Sequence, residues 1–207
     1  MTSHFYAFGS ICRGETDQAS DIDLLACIST PMPDIDPKKF SIYTYARMRQ
    51  LWSEGNPFAW HLHLESKLIF SSDGLDFLTD LGVPSKYVRG SEDCEKFYKL
   101  FLESYGSLTC SSDSLVFHLS CMFLATRNFA TCYSFCTGRP IFSRKSPLLI
   151  DRKLPISDEA FDVFARARIL STRGYGSTIS IAEIDIAKAS APIILDWMQN
   201  LSQIGDL

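Results

Sequence analysis

The stretch Phe5–Leu25, FYAFGSICRGETDQASDIDLL, is compatible with few folds. It reads as a short apolar strand over 5–8, a Gly9-Ser10 turn, a polar loop from Ile11 to Ser20, and a second strand over 22–28 entered through Asp21 and Asp23. Residues two apart in a strand share a face, so Asp21 and Asp23 stand side by side while Ile22 and Leu24 turn the other way. Two neighbouring carboxylates repel unless a cation lies between them. Hard divalent ions take oxygen ligands of this kind, and Mg²⁺ completes its shell with phosphate and water. Gly9 lets the backbone approach a ligand closely, and Ser10 supplies a hydroxyl and an N–H where the strand opens. These groups together predict transfer from a nucleoside triphosphate.

Gly9-Ser10, Arg13-Gly14 inside the gap, and Ser20-Asp21-Ile22-Asp23-Leu24-Leu25 at this spacing resemble the signature of the DNA polymerase β-type nucleotidyltransferases, in their minimal branch. That branch includes antibiotic nucleotidyltransferases and antitoxin-type enzymes that work beside helical HEPN proteins. The resemblance implies Mg²⁺ or Mn²⁺ on Asp21 and Asp23. It also implies a triphosphate, ATP by expectation, held by Ser10 and the Gly9 backbone with Arg13 adding charge. Relatives usually carry a helix before the Gly-Ser strand, whereas here the strand starts almost at the first residue.

The family site normally has a third carboxylate on a neighbouring strand, completing the metal cage and taking the proton of the attacking hydroxyl. The run Phe58 to Phe70 alternates as a strand or tight hairpin would, with Trp60, Leu62 and Leu64 on one face and His61, His63 and Glu65 on the other. Glu65 is the acid on the polar face and becomes the candidate, with His63 or His61 as a substitute base. A site working with Asp21 and Asp23 alone, and a simply solvated strand face, remain open.

With 20 basic and 24 acidic residues the net charge is −4, which argues against a chain whose main task is to hold a nucleic-acid backbone. A hydrophobic content of 46% marks a globular chain with ample core. The start, MTSHFYAF, lacks the basic-then-apolar pattern of a signal peptide, and the apolar segment 114–136 contains His118, Arg127 and Asn128, so a buried helix is expected and not a membrane span. Seven cysteines, an odd number, point to a reducing cytoplasm and free core thiols.

After a Pro-rich loop over 29–37, helical spacing is expected from Lys38 to Trp52 and from about Leu75 to Leu81. A boundary falls near Ser85 to Ser91, giving domains 1–88 and 89–207. Beyond it the pattern is helical: Glu92 to Tyr105 with Gly106 as a stop, Asp113 capping a helix to about Thr137, a loop over 139–155 carrying five basic residues and one acid, a helix capped by Ser157, and a last helix over about 181–204 that Pro192 should kink or split. The basic loop could meet phosphates or an acidic partner, or be a solvated connector. The expected class is therefore α+β, a small mixed sheet with helices followed by a helical bundle.

That layout is similar to the helical domain of kanamycin-type nucleotidyltransferases and to HEPN bundles. HEPN ribonucleases carry an Arg and, four to six residues later, a His; Arg127-Asn128 leads to Tyr133 without one, so no ribonuclease activity is expected and Arg127 is assigned to an ion pair. Function is thus expected to be transfer of a nucleoside monophosphate to a hydroxyl on protein or RNA, in a toxin–antitoxin-like setting with a homodimer through the helical domain. The alternatives are an antibiotic nucleotidyltransferase of the aminoglycoside or lincosamide kind, or a catalytically degenerate nucleotide-binding or interaction module.

Overall fold

The computed structural model describes residues 2–15, 22–30 and 33–204. Asp21, one of the two expected metal carboxylates, lies outside the described residues. The fold is α+β, a mixed sheet with helices plus a helical region, and the chain divides into two compact units, Met1–Val88 and Arg89–Leu207.

In the first unit, strands β1 (Ser3–Phe8), β2 (Asp23–Ile28), β3 (Phe40–Thr44) and β4 (Ser66–Ser71) form one sheet in the order β3-β2-β1-β4. The central β1 runs antiparallel to both neighbours, and β3 runs parallel to β2. Phe8, the last residue of β1, is therefore flanked by Asp23 on one side and Ser66 on the other. One turn of helix, α1 (Ser10–Arg13), follows directly, so the Gly-Ser turn emerges between the first residues of β2 and β4.

One face of the sheet carries the core. Tyr6, Phe8, Leu25 and Cys27 pack against α2 (Tyr45–Ser53), α3 (Pro57–Glu65) and α4 (Phe77–Asp80) through Met48, Leu51, Trp52, Leu62 and Leu78. By strand alternation Asp23 belongs to this face. Tyr6, 1% exposed, donates its hydroxyl to Asp76 at 3.0 Å and accepts the Leu78 N–H at 3.1 Å, which pins α4 to the sheet. Burial drives its phenol pKa upward. At the far end of β1 the buried His4 sits with Nδ1 2.7 Å from the Tyr45 hydroxyl and Nε2 3.1 Å from Asp73. Ala26, Ile28 and Ile35, with Phe5 and Phe40, form a smaller cluster on the opposite face.

Two stretches differ from the sequence expectation. Residues 38–52 are not one helix: Phe40 to Thr44 pair with β2, and the helix begins only at Tyr45, where Thr44 accepts the Arg47 N–H as its N-cap. Residues 58–65 are not a strand: Asn56 accepts the Phe58 N–H, Pro57 occupies the first turn, and the chain is helical to Glu65 before β4 starts. The cap and the proline, which suits a first helical turn, outweigh the apparent alternation.

The second unit is helical: α5 (Gly90–Cys110), α6 (Leu115–Cys136), α7 (Ser146–Leu149), α8 (Asp158–Arg173) and α9 (Ile181–Ile204). Phe101 and Leu108, Leu119, Met122 and Phe129, Phe164 and Ala167, and Ile194, Met198 and Leu201 bring four of these helices into one core. Gly106 does not end a helix but lies within α5, Ser114 instead of Asp113 takes the cap position of α6 without a side-chain cap bond, and α9 runs on through Pro192 as one element. Ser157 accepts the Ala160 N–H and starts α8 as expected. The basic loop is tied down at several points. Arg127 donates to the Phe142 carbonyl at 2.9 Å, Ser146 to the Arg127 carbonyl at 3.0 Å, and Trp197 to the Arg152 carbonyl at 2.8 Å. No described helix is long and apolar enough to cross a membrane.

Candidate active site

The expected site residues that the structure describes gather at one end of β1. Gly9 takes φ 78° and ψ −142°, a conformation open to glycine and strained for other residues. Its N–H donates to the main-chain carbonyl of Glu65 at 3.1 Å, so the turn is bound to the point where α3 becomes β4. On the other side a Cβ built on Gly9 would lie 2.7 Å from Asp23 Oδ2. The missing side chain is what gives that carboxylate its room. Asp23 itself is exposed at the first position of β2.

Ser10 opens α1, whose single turn is closed by the bonds from Cys12 N–H to the Gly9 carbonyl at 3.0 Å and from Glu15 N–H to the Ser10 carbonyl at 3.0 Å. Cys12 turns its thiol to the Ala7 carbonyl, and burial raises its pKa, so it is held as a thiol. Arg13, the last residue of the turn, donates from Nε to Glu15 at 3.0 Å and from Nη1 to Glu65 Oε2.

Glu65 is where the structure departs furthest from the sequence reading. It ends a helix, not a strand, and its carboxylate accepts Arg13 Nη1 and lies 2.9 Å from His61 Nε2. The i,i+4 spacing of a helix puts His61 and Glu65 on one side and His63 on another. His63 is exposed, edge-on to Trp60. His61 packs edge-on against Phe8. The two strands beside β2 are β1, SHFYAF, and β3, FSIYT, and neither carries an acid. The third carboxylate expected on a neighbouring strand is therefore not found on either one. The sequence reading missed Glu15 as a partner of Arg13; its signal was only an opposite charge two residues away.

Among the described residues no group of three or more His, Cys, Asp or Glu side chains is placed to hold a metal ion. The donor chemistry nonetheless suits a hard divalent cation. Asp23 offers carboxylate oxygen against the bare backbone of Gly9, and Asp21 is two residues away in sequence.

Residues 3–83 match the family model of the nucleotidyltransferase domain. The matched span contains all four strands, the Gly-Ser turn and helices α1 to α4. The match supports the polymerase β-type superfamily and nucleotidyl transfer in general. No curated protein matches the chain. Within the matched span, Gly9, Asp23, Arg13 and Glu65 meet where the sheet meets α1, while His4, Tyr45 and Asp73 cluster at the opposite end of β1.

Proposed function

We propose that the chain transfers a nucleoside monophosphate from a nucleoside triphosphate, ATP by preference, to an acceptor hydroxyl. The observation that supports this reading is the close approach of the Asp23 carboxylate to the bare Gly9 backbone, where a Cβ would lie 2.7 Å from Oδ2, in a span matched as a nucleotidyltransferase domain. Ser10 and the Gly9 backbone would hold the β- and γ-phosphates, and Arg13 would supply positive charge to them. Asp21 and Asp23 would hold the divalent cation, Mg²⁺ or Mn²⁺, which when bound neutralises phosphate charge and fixes the α-phosphorus for in-line attack. The acceptor oxygen forms a bond to that phosphorus, the bond to the bridging oxygen breaks, pyrophosphate leaves, and the hydroxyl proton passes to water. The protein forms no covalent bond, so its contribution is positioning and charge stabilisation.

The acceptor is a hydroxyl on a protein or an RNA, in a toxin–antitoxin-like pairing. The net charge of −4 favours the protein. A second reading, nucleotide binding without transfer, has its own support: the strands flanking β2 carry no acid, and the Glu65 carboxylate is engaged by Arg13 and His61.

Incubation with α-³²P-labelled ATP and Mg²⁺ separates the possibilities. Label on a protein or RNA together with pyrophosphate release supports transfer, label on an aminoglycoside or lincosamide moves the acceptor to a drug, and binding without pyrophosphate release rejects catalysis.

A further inference from the structure

Glu65 grips the turn that follows β1 by two independent groups. Its carbonyl oxygen accepts the Gly9 N–H at 3.1 Å, and its carboxylate oxygen Oε2 accepts Arg13 Nη1 and lies 2.9 Å from His61 Nε2. The side chains of Arg13, His61 and Glu65 are 19%, 16% and 13% exposed, so the cluster is largely withdrawn from water. An ion pair in such a place is weakly screened, and losing one partner leaves the other charge uncompensated. The pair of Arg13 with Glu15 lies further out, at 42% exposure of the acid, and contributes less to fixing the guanidinium.

A guanidinium has five N–H donors, and among the described residues the two bonds from Nε and Nη1 leave three for an anionic ligand. A carboxylate oxygen already shared by a guanidinium and an imidazole is a poor metal ligand, since ligation would have to displace one of them. Building on the transferase reading, we propose that Glu65 is a positioning residue for Arg13 and not the third metal carboxylate. It fixes the orientation of the arginine fork toward the triphosphate, and His61, one helical turn back on α3, makes a second contact to the same carboxylate oxygen. The consequence is a clean separation of roles: Asp21 and Asp23 govern the metal, and Glu65 governs nucleotide affinity through Arg13.

The test compares the full chain with Glu65→Gln, Arg13→Met and the double variant, measuring Mg·ATP binding, kcat and KM, and the Mg²⁺ concentration for half-activity. Glu65→Gln is expected to weaken Mg·ATP binding and raise KM by about tenfold or more. The Mg²⁺ requirement should not move, and the double variant should be no worse than Arg13→Met alone. A raised Mg²⁺ requirement, a collapse of kcat at unchanged KM, or additive losses in the double variant would overturn the assignment. A readout free of activity is the Arg13 Nη1–H resonance in nucleotide-free protein, since Nη1 is the nitrogen that donates to Glu65. It should be protected from exchange in the wild type and in Asp23→Asn, and lost in Glu65→Gln; persistence in Glu65→Gln overturns the positioning role. Failure of the wild type to bind Mg·ATP would instead reject the transferase reading, and the Arg13 resonance would still decide whether Glu65 anchors the arginine.

Discussion

Gly9 and Asp23 are so close that a Cβ on the glycine would stand 2.7 Å from Asp23 Oδ2. Gly9→Ala thus combines a steric conflict with a backbone conformation, φ 78°, that costs a non-glycine residue about 1–3 kcal/mol. The expected outcome is a protein that folds with a lowered midpoint of denaturation and binds Mg·ATP at least about tenfold more weakly. Calorimetric titration beside a thermal melt checks both, and wild-type binding in Gly9→Ala would remove the basis for placing the nucleotide here.

Asp23 is exposed at the mouth of β2, so removing its charge should leave the fold intact. Asp23→Asn is expected to lose transfer by roughly a thousandfold, with circular dichroism and melting temperature unchanged. The same is expected of Asp21→Asn, from its place in the sequence. Transfer near the wild-type rate in either variant would sink the two-carboxylate metal site.

The Tyr6 hydroxyl joins Asp76 and the Leu78 N–H inside the core of the first unit. Tyr6→Phe removes an acceptor from a buried N–H, and a loss of about 1–3 kcal/mol is expected. In a Trp197→Phe background, Trp52 and Trp60 are the remaining tryptophans, so urea unfolding followed by their fluorescence reports on this unit alone. An unchanged urea midpoint would show that the hydroxyl does not support α4.

Glu183 in the second unit accepts the Ser180 N–H and hydroxyl and the Arg166 guanidinium, and these hold its carboxyl pKa down to about 2 from an ordinary 4.5. A lowered folded-state value stabilises above the unfolded value and is lost as pH falls toward the folded one. The melting-temperature gap between wild type and Glu183→Gln should therefore be full at neutral pH, narrow below about pH 4.5 and close near pH 2. A gap that does not change with pH would refute the charge contribution.

Asp23, Gly9 and Arg13 were legible in the sequence because turn and strand fix their relation locally: a glycine at the end of a strand and an aspartate at the start of its antiparallel neighbour meet by register alone. Glu65 stands beside this turn at the end of a helix, where the alternation predicts a strand face. Within Phe58–Phe70 the aromatic and aliphatic residues satisfy a two-residue repeat and a helical one at once, and the deciding Asn56 cap with Pro57 lies just before the run. A strand reading put His61, His63 and Glu65 on one face; the helix keeps only His61 with Glu65. Phe40–Thr44 went unrecognised because a five-residue strand running straight into a helix leaves no turn residue to mark the change. In the second unit, the reciprocal bonds between Ser180 and Glu183 are a capping box whose signature, Ser-Ile-Ala-Glu, stands in the sequence.

Because Glu65 is both the last residue of α3 and the immediate neighbour of β4, the spacing along the chain at this junction is rigidly prescribed. One residue inserted into α3 after His61 would rotate the helix end by about 100°, taking the carboxylate off Arg13, or else slide β4 by one position and exchange its two faces. Homologous chains should therefore hold an invariant count of residues from His61 to Ser66.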